Sequence, residues 1–198
     1  MRCVAPRNQA AKQLEELLRA RRSVRKYAAA PIALEHVSQL LWVAQGNVGE
    51  TGLRTVPSAG ALYPLSVYAV AGDVDGLAPG VYGYAPRSHA LRRVCDRDLR
   101  DALSEAALGQ EWVRTAAVDL LIVADYTHTT DRYHDRGLRY VYMEAGHASQ
   151  NVYLLATALG LATVAVGAFD DDRVAHALNL PYTEHPLYIM PVGVALAP

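Results

Sequence analysis

A cluster of basic side chains follows the first predicted helix and has the composition of an anion site. Arg21, Arg22, Ser23 and Arg25 lie within five consecutive positions. In an extended segment successive side chains alternate, so Arg21, Ser23 and Arg25 would point to one side. Guanidinium groups pair bidentately with phosphate, and a hydroxyl adds a further donor. The cluster therefore indicates a phosphate site, with a solvated basic turn as the alternative.

The charge around this cluster differs from that of the whole chain. Residues 2–26 contain eight Arg or Lys residues and two Glu residues, which gives +6, whereas the 198-residue chain carries −1. A nearly neutral chain has no general attraction for nucleic acid, so no nucleic-acid partner is expected. The local excess of positive charge instead favours a confined site for one anionic ligand.

One sequence pattern resembles a catalytic motif but is incomplete, and two nucleotide-binding signatures do not occur. Ser58 lies in the run Val56-Pro57-Ser58-Ala59-Gly60, but a nucleophile elbow needs glycine at the Val56 position. The glycine signatures of dinucleotide-binding and Walker-type phosphate loops are both missing from the sequence. We therefore do not expect a serine hydrolase or a nucleotide-binding fold of those types.

Acidic residues precede histidines by three positions in three places. The pairs are Glu144–His147, Asp125–His128 and Asp131–His134. This spacing occurs in helical di-iron sites, which need matching pairs on two long helices. Only one long helix is predicted, and the two pairs that begin with Asp fall in a predicted turn. We therefore expect no metal site.

Apolar periodicity predicts a single α+β domain that spans residues 1–198. Helices are predicted at 11–20, 33–45, 98–108, 138–159 and 170–178, and strands at 66–71, 80–84, 90–94, 118–124 and 187–196. The nearly all-apolar strand 118–124 is expected at the centre of the sheet. No repeat or linker divides the chain, and residues 1–10 are expected to form a flexible arm.

Cysteine usage and hydropathy are those expected of a cytoplasmic protein. Cys3 and Cys95 stand far apart and outside any C-x-x-C pattern, so a disulfide framework is not expected. No apolar run is long enough for a membrane span, and the N-terminal residues do not read as a signal peptide. We therefore expect no membrane partner.

The run R-R-S-V-R-K-Y at 21–27 resembles the opening signature of the nitroreductase superfamily, whose members are FMN oxidoreductases that form intertwined homodimers. Later segments are similar to the SagB-type branch of that superfamily, namely 57–64 with 80–84, and 136–140 with 144–151. Residues 160–170 resemble the family segment that lines the reactive edge of the flavin. The resemblance implies a nitroreductase-like FMN-binding α+β fold with a mixed or antiparallel central sheet flanked by helices.

The resemblance also implies cofactor contacts in three short segments. The basic segment would hold the ribityl phosphate and the pyrimidine end of FMN through Arg21, Arg22, Ser23 and Arg25. The partner subunit of the homodimer would contribute Pro57, Ser58, Ala59 and Gly60. Backbone groups would face the central ring at Val166, Gly167 and Ala168. An ordinary turn at 57–60 and a buried strand end at 164–168 are the alternatives.

Catalytic residues are implied by the same branch. In SagB-type azoline dehydrogenases a Lys-Tyr pair before the R-G-x-R-Y run is implicated in deprotonation, and here the matching pair is Arg132–Tyr133. Arginine is effectively always protonated and makes a poor base, but its charge can stabilise a negative charge on its neighbour Tyr133. Tyr133 and Arg132 are therefore the candidate catalytic residues, and the change from lysine leaves azoline oxidation open.

Three functions remain open at this stage. The first is an FMN-dependent SagB-type dehydrogenase that oxidises azoline rings or a similar small or peptidic substrate. The second is a reductase of nitro compounds or quinones with NAD(P)H as the electron donor. The third is a flavin-binding protein without turnover. Rapid bleaching of the flavin by NADPH would favour the second function over the first.

Overall fold

The computed structural model of the protein describes residues 9–50 and 52–196. The arm predicted at 1–10 lies outside these residues, except for Gln9 and Ala10, which begin the first helix. Cys3 also lies outside them, and Cys95 is a free thiol. Of the helices described, none combines the length and the apolar character that a bilayer crossing requires.

Seven α-helices and nine strands are interspersed along the described residues. The helices are α1 (Gln9–Ala20), α2 (Leu34–Gln45), α3 (Arg100–Ala106), α4 (Glu111–Arg114), α5 (Thr127–Tyr133), α6 (Arg136–Ala158) and α7 (Asp171–Leu178). The strands are β1 (Tyr27–Ala28), β2 (Ile32–Ala33), β3 (Leu65–Ala71), β4 (Val74–Asp75), β5 (Gly80–Ala85), β6 (Ala90–Cys95), β7 (Val118–Asp125), β8 (Leu161–Thr163) and β9 (Glu184–Ala195). The predicted helices and long strands are confirmed, with ends shifted by at most three residues.

The turn predicted for the Asp125–His128 and Asp131–His134 pairs is wrong, because helix α5 occupies most of that segment. The Asp125 carboxylate accepts hydrogen bonds from the backbone N–H and the hydroxyl of Thr127. These bonds satisfy a donor at the start of the helix, in the manner of an N-terminal cap. Within the described residues no cluster of three or more acidic, histidine or cysteine side chains is arranged to hold a metal.

The central sheet is antiparallel throughout. Its strands lie in the order β1-β9-β7-β3-β5-β6, and β8 also pairs with β9. Strands β2 and β4 form a separate two-stranded parallel ribbon. Strand β7 pairs on both sides along its length, which confirms the central position predicted from its apolar run.

The sheet separates two apolar cores. Successive residues of β7 point to opposite faces, so Leu120 and Ile122 enter one core and Leu121 and Val123 enter the other. Helices α2 and α6 cover the first face, and α3 and α7 cover the second. The architecture is therefore the predicted α+β fold with helices flanking an antiparallel sheet.

Helix α6 is the longest element and positions residues on both sides of the candidate site. Its apolar residues Val141, Ala145, Ala148 and Val152 are buried at steps of four, three and four, which form one helical face. The helix ends where Gly160 adopts a φ of 69°, a conformation that glycine allows at low cost. Strand β8 follows at once and pairs with β9.

Candidate active site

The basic segment, Arg21–Lys26, lacks regular secondary structure and is held in place by its neighbours. The N–H of Val24 donates to the carbonyl of Thr163 at 2.9 Å, and Tyr27 begins the short pairing of β1 with β9. Because β8 also pairs with β9, the last strand holds the basic segment beside the residues that follow β8. This placement brings together two regions that the sequence predicts to share a site.

Tyr153 of α6 connects those two regions. Its hydroxyl lies 2.9 Å from the hydroxyl of Ser23 and accepts a hydrogen bond from the N–H of Ala165 at 2.7 Å. The guanidinium of Arg21 lies over the same ring, 5.0 Å from its centroid. Tyr153 is only 8% exposed, whereas Ser23 is exposed. A buried side chain therefore fixes two side chains that face solvent.

Arg21, Ser23 and Arg25, which alternation predicts on one side, do not share one set of neighbours, because Arg21 and Ser23 contact Tyr153 and Arg25 does not. Arg21 lies over Tyr153, but the Arg25 guanidinium lies over Trp112 of α4, 5.5 Å from the ring centroid. Arg22 turns back and donates to the carbonyls of Arg19 and Arg21. Since no regular strand forms here, tertiary contacts set each direction.

The basic segment keeps its positive charge available. In the part of the chain that the structure describes, Arg21, Arg22 and Arg25 form no ion pair with a carboxylate. Arginines stacked on aromatic rings keep their in-plane N–H donors free for another partner. Together with the Ser23 hydroxyl, these donors fit a phosphate group such as that of FMN.

The segment Val166–Ala168 lies next to β9 and presents backbone to solvent. Val166 is buried and exchanges two backbone hydrogen bonds with Ile189, so the strand-end alternative holds for this residue. Gly167 and Ala168 are exposed. The Ala168 carbonyl accepts a 2.7 Å hydrogen bond from the Gln110 side chain. Because the side chains at 167 and 168 are absent or small, the exposed backbone here is accessible to a planar ligand.

The residues Pro57–Gly60 form a tight turn on another side of the molecule. Gly60 has a φ of 63° inside the 3₁₀ helix Ala59–Ala61, and Ala61 and Tyr63 also have positive φ. Non-glycine residues rarely adopt this conformation, and such strain concentrates at functional sites. The Ser58 hydroxyl accepts from the N–H of Tyr63 at 2.9 Å, which closes the turn.

The candidate catalytic pair lies directly against this turn. A β-carbon on Gly60 would lie 2.8 Å from the Tyr133 hydroxyl and 3.1 Å from Nη1 of Arg132. The Arg132 guanidinium lies over the Tyr133 ring at 5.4 Å, and Tyr140 meets the same ring edge-to-face at 5.1 Å. The structure therefore brings together the turn and the pair.

A buried glutamate lines the pocket beside the turn. The pocket has a volume of about 250 Å³ and is lined by Pro57, Ser58, Ala59, Tyr140, Met143, Glu144 and His147. Glu144 is 3% exposed, and its Oε1 atom has no hydrogen-bond partner among the described residues. Burial raises the pKa of Glu144 to about 7, although Ser58, Arg54 and Gln45 oppose the shift.

Arg54 links this pocket to the core. Its guanidinium donates to the side-chain oxygen of Gln45 at 2.6 Å and to the carbonyl of Leu65 at 3.0 Å. It also lies over the ring of Tyr63, 4.8 Å from the centroid. Burial lowers the pKa of Arg54, and the nearby Glu144 carboxylate opposes that shift.

The site residues thus form two groups. The cationic half-site comprises Arg21, Ser23, Arg25, Tyr153 and 166–168, and the loop half-site comprises 57–60, Arg132, Tyr133, Tyr140 and Glu144. Glu144 and Tyr153 are nine positions apart on α6, which is about 14 Å along the axis and about half a turn around it. The two half-sites of one chain therefore face different directions.

Several residues that form these half-sites or contact them have no signal in the sequence. Tyr153, Gln110 and Trp112 lie in ordinary helical or loop contexts, and only the fold brings them to the basic segment. Glu144 stands out in sequence only as half of the Glu144–His147 spacing. Its burial beside Ser58 could not be read from that pattern.

Comparison with known proteins identifies the class of the molecule. The Nitroreductase family model matches residues 18–194 of the chain, so the chain belongs to the nitroreductase family. It is an oxidoreductase of that family, and the antiparallel sheet between helices is the fold expected for it.

The relatives include one of similar length to this chain and one that is longer. MJ1384 of Methanocaldococcus jannaschii, assigned as a nitroreductase, is 48% identical over 181 residues, which cover 91% of this chain and 90% of that protein. The microcin B17-processing protein McbC of Escherichia coli is 30% identical over 146 residues, 71% of this chain and 54% of McbC. This chain therefore spans about half the length of McbC.

Solved structures agree with this assignment. A protein of Anabaena variabilis assigned as a nitroreductase superposes with a TM-score of 0.84 at 30% identity, over 96% of this chain and 39% of that chain. A chain of the Escherichia coli microcin synthetase McbBCD complex superposes with a TM-score of 0.76 at 24% identity, over 100% of this chain and 76% of that chain. The second likeness shows the shared fold alone.

Proposed function

We propose that this protein is an FMN-dependent oxidoreductase whose cationic half-site binds the phosphate of FMN. The observation that carries the proposal is the set of arginines without a carboxylate partner among the described residues, fixed beside the exposed Ser23 hydroxyl. Each charge-assisted hydrogen bond contributes about 1.5–3 kcal/mol, so a few of them suffice for stable binding. When bound, FMN supplies hydride transfer.

The chain's own residues have distinct roles in this proposal. Arg21 and Ser23 hold the anionic tail, while Gly167 and Ala168 offer backbone next to the flat ring system. Gln110 holds the Ala168 carbonyl and thereby the direction of that segment. Arg25, held over the ring of Trp112, offers a second guanidinium to the anionic cofactor.

A homodimer would complete the site. Because the two half-sites of one chain lie on opposite flanks of α6, the loop half-site would come from the partner subunit. Leu18, Trp42, Tyr142 and Met143 are large apolar side chains between 42% and 55% exposed, as expected of a surface that a partner covers. Light scattering of the purified protein should give twice the mass of the chain, and a monomer with full flavin content would contradict this arrangement.

We propose that the substrate binds beside Tyr133. Its hydroxyl, next to the charge of Arg132 and at the turn 57–60, can hold or move a proton while the substrate gains or loses a hydride. This position supports a SagB-type dehydrogenase acting on an azoline ring or a similar small or peptidic substrate. The similarity to McbC, named for microcin B17 processing, favours this function.

A reductase of nitro compounds or quinones that uses NAD(P)H is the second candidate. The relative at 48% identity is assigned as a nitroreductase, and arginine replaces the lysine of the azoline dehydrogenases at position 132. Arg132 cannot act as a base, so Tyr133 alone would handle the proton. A tyrosine hydroxyl can donate a proton during reduction of the substrate as well as accept one during its oxidation.

The absorbance spectrum of the purified protein tests the proposal. We expect a yellow protein with a flavin spectrum, which NADPH bleaches anaerobically if the chain is a reductase. An azoline-containing peptide should bleach it without NADPH if the chain is a dehydrogenase. A flavin that neither donor bleaches would support the third alternative, a flavin-binding protein without turnover. A colourless protein that added FMN does not stabilise against heat would overturn the proposal.

A further inference from the structure

The hydrogen bonds of the Tyr153 hydroxyl can do more than hold the basic segment in place. The Tyr153 hydroxyl has one proton to donate and two lone pairs to accept hydrogen bonds. One lone pair is taken by the N–H of Ala165 at 2.7 Å. The hydroxyl of Ser23 lies 2.9 Å away, and either hydroxyl has the geometry to donate to the other.

The direction of this second bond decides what Ser23 offers to a ligand. If Ser23 donates to Tyr153, its only proton is used and its oxygen repels an anion. If Tyr153 donates to Ser23, the Ser23 proton is free to point outward. An anion beside Ser23 favours the second direction, because phosphate oxygens only accept hydrogen bonds.

We propose that Tyr153 is a positioning residue that makes Ser23 a selective donor to the phosphate of the cofactor, through the chain Ala165 N–H to Tyr153 O–H to Ser23 O–H. This inference rests on the proposed function, since it concerns how the same site recognises FMN. Each bond in such a chain polarises the next, so the outer Ser23 proton becomes a stronger donor than in an isolated serine.

The ring of Tyr153 adds a second element of phosphate recognition. The Arg21 guanidinium rests on its face at 5.0 Å, and such stacking holds the charge without neutralising it. One buried side chain therefore aligns a hydroxyl through its oxygen and a cation through its ring. Both aligned groups bind an anionic phosphate more strongly than the uncharged ribityl end of riboflavin.

Affinities for two flavins provide the test, because riboflavin is FMN without the phosphate. The full-length protein is stripped of flavin and titrated with FMN and with riboflavin, following flavin fluorescence. We expect Tyr153→Phe to lower the preference for FMN over riboflavin by about tenfold, because the phosphate contact is lost for FMN alone, whereas the Ala165 N–H that loses its acceptor affects both flavins. Ser23→Ala should have the same effect, and the double variant should lose little more than either single variant.

Several outcomes would overturn the inference. Tyr153→Phe protein that keeps the wild-type preference for FMN over riboflavin would do so, as would an equal loss for both flavins, which indicates a purely structural role. If Tyr153→Phe does not fold, Ser23→Ala decides alone, and its unchanged preference contradicts the donor role. A wild-type protein that binds neither flavin would instead overturn the proposed function itself.

Discussion

The two half-sites are built from opposite kinds of chemistry. In the cationic half-site the cations are exposed or half-buried, and aromatic rings, not carboxylates, hold them in place. In the loop half-site the carboxyl group of Glu144 is buried, and one of its oxygens has no hydrogen-bond partner among the described residues. It lies beside a turn in which Gly60, Ala61 and Tyr63 have positive φ angles. The first arrangement suits tight binding of an anion, and the second suits a group whose protonation changes near neutral pH. Under the proposed function, the comparison separates residues that would hold the phosphate of the cofactor from residues that would handle the substrate.

The largest expected effect falls on the cationic half-site. Replacing both Arg21 and Arg25 by Ala removes two charge-assisted contacts, and FMN affinity should fall by about a thousandfold. The purified double variant should be folded by circular dichroism and colourless. Arg19→Ala, which removes a neighbouring arginine that is 79% exposed, is the matched control and should stay yellow. Normal flavin content in the double variant would remove the phosphate site.

The next effect concerns stability and belongs to the loop half-site. Because the folded-state pKa of Glu144 is raised from 4.5 to about 7, folding becomes less favourable as the pH rises through that window. Glu144→Gln removes this loss and should be more stable than wild type by about 3 kcal/mol above pH 7, with little difference below pH 4.5.

Urea unfolding at pH 4.5 and pH 8 measures this difference. Glu50→Gln, at an exposed position, is the matched control and should follow the wild-type pH dependence. A Glu144→Gln protein whose stability parallels the wild type at both pH values would show that the carboxyl is not held protonated by burial.

A smaller effect concerns Tyr133, whose loss should lower turnover without changing cofactor binding. Tyr133→Phe should lower kcat by about a hundredfold while flavin content stays unchanged, because only the proton-handling hydroxyl is lost. Tyr182→Phe, at a side chain that is 99% exposed, should leave both unchanged. Full turnover in the Tyr133→Phe enzyme would clear this residue of a catalytic role.

The smallest effect uses two glycines with nearly the same conformation. Gly60 and Gly49 have φ angles of 63° and 62°, but only at Gly60 would an added β-carbon lie within 4 Å of other atoms, namely those of Arg132 and Tyr133. Alanine at either position should cost about 1 kcal/mol of stability through left-handed strain. Only Gly60→Ala should also lower kcat, because it displaces the Tyr133 hydroxyl. Equal activity of the two variants would place the catalytic centre elsewhere.

Much of the fold can be predicted from the sequence because its long elements carry local patterns. The stripe of α6 and the apolar run of β7 are each set by periodicity within one segment. Strands β1 and β8 contain two and three residues and exist only through pairing with β9, so no local pattern indicates them. The sequence predicts a turn where helix α5 forms, because its residues Thr127–Tyr133 have little apolar periodicity.

The candidate site is predictable to the extent that its residues are adjacent in sequence. The basic segment and the 57–60 run are dense motifs, and the family resemblance supplies their roles. The orientation of Arg25 depends on Trp112, and that of Ser23 on Tyr153, both distant in the chain. A carboxyl group changes its pKa by burial, which for Glu144 arises only when α6 packs beside the turn.

Strand β9 also has a consequence for the order of events during synthesis. It pairs with β1 and β8 and bridges Val166, yet it follows all three in the chain. A nascent polypeptide halted before residue 184 would carry the basic segment without the scaffold that fixes it. Contacts as distant as Tyr27 with Ala195 also slow folding, because a long loop must close before they form. Under the proposed function, cofactor capture would therefore be a late step, and unliganded intermediates should be the species most exposed to chaperones and proteases.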